Sequence, residues 1–181
     1  MKRIYSNLTE LIKENLKNDE TEDALELIKF LGDVNKKGYL TKNQFYKVAM
    51  WKTPRPKKHY LRNSEKHVIN ISKLVMSSQD DSEKITLLIS LKGVSIAVAS
   101  SLLTIINSRD YGIIDIRVWQ LLYLYGEVNT KPKGQGFSLN DYLSYLKILR
   151  KYALQFNVDV RDIERTLFFH HRKIQEGNLY S

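Results

Sequence analysis

Leucine, isoleucine and valine recur three and four positions apart through most of the chain, and no stretch alternates convincingly enough to make a strand. That pattern confines the fold to helices. NLTELIKENL and ALELIKFLG carry it near the start, with Gly32 placed to stop the second helix. TKNQFYKVAMW opens on Thr41 and Gln44, the spacing of a capping box. SEKHVINISKLVMSS sets Val68, Ile71, Leu74 and Val75 on one side, and SEKITLLISL begins in an Asp-Asp-Ser cluster suited to capping. Ser138 and Asp141 repeat the capping spacing before YLSYLKILRKYALQF, and DVRDIERTLFFHHRKIQ makes the last helix. YGIID has some strand character but is short. Eight to ten helices of ordinary length are predicted, in an all-α protein.

The 181 residues suffice for one sizeable core or for two interlocked subdomains sharing it. Apolar runs fall far short of the roughly 20 residues a bilayer span needs. The charged N-terminus MKRIYSNLTELIKENL is unlike a secretory signal, so a cytoplasmic location is expected, nucleoid-associated when bound to DNA. With no cysteine, disulfides, thiolate nucleophiles and iron–sulfur clusters are excluded. His59, His67, His170 and His171 show no ligand spacing, so no side-chain metal site is expected. The net charge of +9 is uneven: residues 1–34 hold five basic and eight acidic residues, and the remainder 24 and 12. A basic surface suits a polyanion, nucleic acid above all, although a Lys-rich solvated surface gives the same total.

LKGVSIAVASSLLTIINSRDYGIIDIRVW, residues 91–119, reads as two helices joined by a turn at Lys92-Gly93-Val94-Ser95, followed by a loop that delivers Asp115. Gly93 supplies the positive φ such a turn needs. The small residues of AVASS let helices approach closely, and the turn amides with the start of the next helix, from Ile96, suit a phosphate. A purely structural αα-hairpin has the same outline. Asp115 is an excellent N-cap for IRVWQLLYLYG, and cap and catalyst are compatible roles.

The run LKGVS, an apolar helix, a short loop and IIDIRVW resembles the helix-hairpin-helix DNA glycosylase superfamily, which includes endonuclease III, mismatch adenine glycosylase, alkyladenine glycosylases and 8-oxoguanine glycosylases. IDIRVW is closest to the oxoguanine branch. The match covers about residues 84–125. The resemblance implies one unit over 1–181, with residues of about 1–35 and 125–181 packing as one helical subdomain. About 36–124 would form a helical barrel containing the hairpin 84–107, with the active-site cleft between the two. It implies that Lys92, Gly93, Val94, Ser95 and Ile96 grip the DNA backbone. Asp115 would be the catalytic carboxylate, stabilising an oxocarbenium-like sugar or activating water after a damaged or modified base is flipped from duplex DNA. No cofactor is implied beyond a monovalent cation, Na+ or K+, at the hairpin backbone. The enzyme would act as a monomer.

Departures from the family pattern sharpen the expectation. Lys92 stands where the hairpin usually has proline, and Ser95 where it has its second glycine. Lyase-competent members carry a lysine at the start of the second hairpin helix; that position falls on Ala97, so hydrolysis without a Schiff base is expected. Lys84 and Lys92 are not expected near Asp115. WKTPRPKKHYLRN, a basic loop with interleaved aromatics, offers Lys52, Arg55, Lys57, Lys58 and Arg62 as phosphate contacts and an aromatic or His59 as a wedge. Trp51, Trp119 and Tyr123 are candidates for a base pocket, against the commoner role of aromatics as core. Arg117 is expected to turn away from the Asp115 face, as a phosphate contact or surface residue. One of His170 and His171 should be buried and the other wet. Two readings compete with the glycosylase: a helix-hairpin-helix DNA-binding module without chemistry, and an α-helical protein–protein adaptor.

Overall fold

The computed structural model describes residues 2–179 and, within them, eleven α-helices and no strand. They are α1 (Leu8–Asn15), α2 (Glu22–Leu31), α3 (Val34–Lys37), α4 (Lys42–Lys52), α5 (Lys57–Tyr60), α6 (Glu65–Ser77), α7 (Asp81–Ile89), α8 (Ile96–Ile106), α9 (Ile116–Leu124), α10 (Leu139–Phe156) and α11 (Val160–Ile174). Nine of these have eight or more residues, as the periodicity predicts; α3 and α5 are single turns, too short to leave a period in the sequence. No helix among the described residues is long and apolar enough to cross a membrane.

The caps fall where side-chain chemistry puts them. Capping boxes close at Thr41 with Gln44 and at Ser138 with Asp141, and Asp80 accepts from the N–H groups of Ser82 and Glu83. Gly32 follows the last residue of α2 with φ +57°. The predicted face of α6 needs one correction. Leu74 is 52% exposed, and the buried line runs Val68, Ser72, Val75 instead. Ser72 fits that line because its hydroxyl donates to Val68 O and accepts from Leu40 N.

At the centre lies α8, buried from Val98 to Ile105 and packed on α2, α4 and α7. Ser100, Ser101 and Thr104 survive there because their hydroxyls donate to carbonyls of their own helix. Residues 1–35 do not pack as one block: α1 packs on α11, whereas α2 packs on α4 and α8. One hydrophobic cluster runs through all these elements, from Leu8 to Leu167. A buried ionic group ties the start of the chain to its last long helix. Glu20 accepts two bonds from Arg161, at 2.8 and 3.0 Å, and one contact from Arg165 at 2.9 Å. Arg161 also pairs with Glu164, and Arg165 with Asp162.

YGIID, residues 111–115, runs extended and unpaired by any strand, with Tyr111 to Ile114 buried. Three side chains answer its peptide groups: Ser100 Oγ accepts from Ile114 N (3.2 Å), Tyr145 donates to Ile113 O (2.7 Å), and Tyr142 donates to Gly112 O (3.4 Å).

The hairpin turn is held as tightly. Gly93 has φ +87°, and a β-carbon there would sit 2.8 Å from His59 Cβ and 3.0 Å from the Tyr60 ring. Gly93→Ala therefore meets both backbone strain and overpacking, together about 2–4 kcal/mol. The expected thermal midpoint falls by roughly 5–15 °C, measured by circular dichroism; an unchanged midpoint would contradict the packing of α5 on the turn.

Candidate functional site

Asp115 is delivered by the pinned 111–115 segment and divides its two oxygens. Oδ1 accepts from Arg117 N at 3.0 Å, capping α9, and Oδ2 accepts from Lys52 Nζ at 3.2 Å. Both side chains of the ion pair stay partly accessible, at 17% for Lys52 and 19% for Asp115. The predicted cap is thus real, and the carboxylate still reaches a cavity.

Two hollows meet at this pair. The first, about 510 Å³, is lined by Lys52, Thr53, Arg55, Ser95, Ile96, Ala97 and Asp115, with Gly134 to Phe137 closing one side. Gly134 permits that closure, since a β-carbon there would sit 2.8 Å from Ile116 O. The second, about 430 Å³, is walled by Trp51, Lys52, Asp115, Arg117, Arg161, Glu164, Arg165, Phe168, Phe169 and Arg172, with Asp23 at its edge. Helix α11 supplies more of this wall than any other element.

The turn and the basic loop form one piece of surface. Asn63, 2% exposed, accepts from Lys92 N at 2.9 Å and donates to Lys92 O and Tyr60 O, each at 3.0 Å. Lys57, Lys58 and Arg62 are exposed on α5 and the residues after it, beside the exposed Lys92 and Ser95. Val94 points inward and is buried, while Ser95 caps α8 by accepting from Val98 N. Arg55 is exposed at the first hollow.

Several predicted roles change. Lys52 is engaged by Asp115 rather than displayed on the loop, because α4 continues through it and aims it at the cleft. Lys84 donates to Tyr111 Oη at 3.0 Å. Arg117 is not turned away: it lines the second hollow with Asp115, its guanidinium 5.3 Å from the Phe168 ring centre. Of the three aromatic candidates only Trp51 lines a hollow, donating from Nε1 to Asp23 at 2.7 Å. Trp119 is a core residue, 1% exposed, that packs on Phe137 and donates to Thr130 O. Tyr123 is 39% exposed on α9 and lines neither hollow. Phe168 and Phe169 line the second hollow beside Trp51, and Asn63 ties the turn to the basic loop. Phe168 and Phe169 stand in the LFFHHRK part of DVRDIERTLFFHHRKIQ, but only the return of α11 brings them to Asp115. For Asn63 no sequence signal exists. No group of three or more histidines, aspartates or glutamates among the described residues could hold a metal ion.

Both histidines of LFFHHRK are buried, His170 at 4% and His171 at 1% exposure, since α1 and α9 both pack on α11. Gln120 donates to Lys133 O, which leaves its Oε1 to accept from His171 Nε2–H at 2.8 Å. Comparison with protein-family models, curated proteins and solved structures gives no match.

Burial, with the Arg117 cation beside it, lowers His171 from an ordinary 6.5 to about 4, against a smaller opposing pull from Asp115. Between those values the unfolded chain binds the extra proton and the native protein does not, so stability falls as pH drops through that window. His171 alone is expected to remove about 2–3 kcal/mol between pH 7 and 4.5. Urea titrations of the protein and of His171→Gln at the two pH values isolate that share; identical pH losses in both would refute it.

Proposed function

We propose that the protein is a DNA glycosylase that extrudes a damaged or modified base from duplex DNA and hydrolyses its N-glycosidic bond. What carries the reading is a partly accessible carboxylate, Asp115, placed where a basic hairpin surface meets an aromatic and arginine-walled cleft. The cleft volume falls within the roughly 300–1,000 Å³ of small-ligand sites.

In this reading the N–H groups of Ile96 and Ala97, ahead of the Val98 N–H that Ser95 caps, hold a backbone phosphate at the start of α8, because a helix N-terminus leaves its first donors unmet. Lys57, Lys58 and Arg62 neutralise neighbouring phosphates, and Arg55 follows the backbone into the first hollow. The extruded base enters the second hollow against Phe168, Phe169 and Trp51. A phosphate of the extruded nucleotide competes for Lys52, which frees Oδ2 of Asp115. The anion then faces the sugar as the bond to the base breaks; the base leaves with the bonding pair and takes a proton from solvent, while Asp115 stabilises the positive charge and accepts a proton from the attacking water. With Lys52 held by that phosphate, water is the nucleophile at C1′. The start of the second hairpin helix carries Ala97, which adds no amine.

A second reading, a helix-hairpin-helix DNA-binding protein without chemistry, is favoured by one observation: both oxygens of Asp115 already have partners. Asp115→Asn separates the two. The glycosylase is expected to lose base release by about 10²–10⁴-fold over a lesion panel in single-turnover assays. Duplex affinity should persist and fall steeply with salt. Equal base release by the variant would sink the catalytic assignment; no release by the unaltered protein from any lesion would select the binding module. Borohydride treatment of reacting complexes is expected to trap no protein–DNA adduct, and a Lys52-dependent adduct would replace water with an amine in the mechanism.

A further inference from the structure

The run TKPKGQGFS, residues 130–138, joins α9 to α10 without a helical period, yet it is no slack connection. Trp119 Nε1 donates to Thr130 O and Gln120 Nε2 to Lys133 O, each at 3.1 Å. Lys131 Nζ donates to Gly136 O at 2.6 Å and pairs with Asp141. Gly134 N donates to Lys131 O at 2.7 Å, and the Phe137 ring centre lies 5.2 Å from that of Trp119. Trp119 and Gln120 belong to α9, the helix that Asp115 caps, so the loop and the carboxylate keep a fixed relation. Resting on the glycosylase reading for the identity of the ligand, we infer that this loop is a second grip on the DNA backbone. It holds the phosphate that lies across the reacting nucleotide from the one held at the start of α8.

The loop displays unused donors where the first hollow opens. Gln135 is exposed on the lining, and neither its side-chain amide nor its backbone N–H has a partner among the described residues; the Gly136 N–H has none either. Lys133 is exposed beside them without a carboxylate partner among the described residues. Across the hollow stand Ser95, Ile96 and Ala97. Asp115 is the one carboxylate among the described lining residues, and the segments 51–64, 92–97 and 128–140 that supply most of the rest contain no acidic residue. A polyanionic strand therefore meets cations and donors on both sides and a single anion at the floor. If a sugar of that strand reaches Asp115, the strand runs between the two sides, and its flanking phosphates fall one to each. The Gln135 amide donates to the phosphate on the loop side, and Lys133 neutralises it. Holding both phosphates fixes the sugar against the carboxylate without reading any base.

The test uses a duplex carrying one tetrahydrofuran nucleotide, which has no base to choose and no glycosidic bond to cleave. Each phosphate near it is replaced in turn by an uncharged methylphosphonate. With the unaltered protein, replacement of either phosphate flanking the tetrahydrofuran is expected to weaken binding about tenfold. The double change Lys133→Ala and Gln135→Ala should weaken binding of the all-phosphate duplex about tenfold and reduce the salt slope by about one. In that variant one flanking replacement should cost less than about twofold, while the other keeps its effect. Both side chains are exposed, and the bond from Gln120 goes to the Lys133 carbonyl, so the fold is retained, as an unchanged circular dichroism spectrum should verify. Loss of the effect at both flanking phosphates, or at neither, overturns the inference, as does an unchanged salt slope or the absence of salt-sensitive duplex binding by the unaltered protein. Base release over a lesion panel is scored separately. Loss at one phosphate alone, without any base release, keeps the inference and fells the glycosylase reading; base release with loss at neither does the reverse.

Discussion

An extended segment buried inside an all-helical protein has no ladder to satisfy its peptide groups, and the rest of this molecule is arranged around that problem. Residues 112–114 solve it with Ser100 from the central helix and Tyr142 and Tyr145 from α10. Burial holds the hydroxyls of both tyrosines far above their usual titration range, so they remain donors at any working pH. Asp115 lies one residue beyond the last pinned amide. Its position is set by the deepest layer of the core rather than by a surface loop, which fixes the carboxylate at the edge of both hollows.

The same logic explains the small residues of AVASS. Ser100 must be small enough to let the segment approach α8 and polar enough to meet Ile114 N. An alanine would keep the approach and orphan an amide; a leucine would hold the segment off. Close packing and polar satisfaction select the same residue, and that agreement fixes where the chain turns into α9.

What could be read from the sequence divides along physical lines. Helices, caps, the Gly93 turn and Asp115 as an N-cap are local features, encoded by residues within a turn of one another. The single turns α3 and α5 carry too few residues for a period, and the Leu74 face of α6 went to Ser72 because a hydroxyl there could bond twice. The cleft was only half legible. Trp51 and Asp115 stand out by type and context, but Phe168, Phe169 and the α11 arginines lie at the far end of the chain. Arg117 looked surface-bound on helical spacing alone; its place beside Asp115 depends on α9 packing against α11. Lys52 likewise looked like one basic residue among several until α4 aimed it inward. Such pairings belong to topology, which no local pattern encodes.

Glu20, Arg161, Glu164, Arg165 and Asp162 form a buried ionic brace behind one wall of the cleft, and the opposite wall shares the same hydrophobic core. A cavity whose two walls share one core opens only by exposing that core's apolar surface. Under the proposed function, the deformation in an encounter with a duplex falls on the nucleic acid: stacking and pairing are what yield. On that same proposal, sites where pairing is already weak would be entered more often than sound ones, so discrimination would begin in the mechanics of the helix.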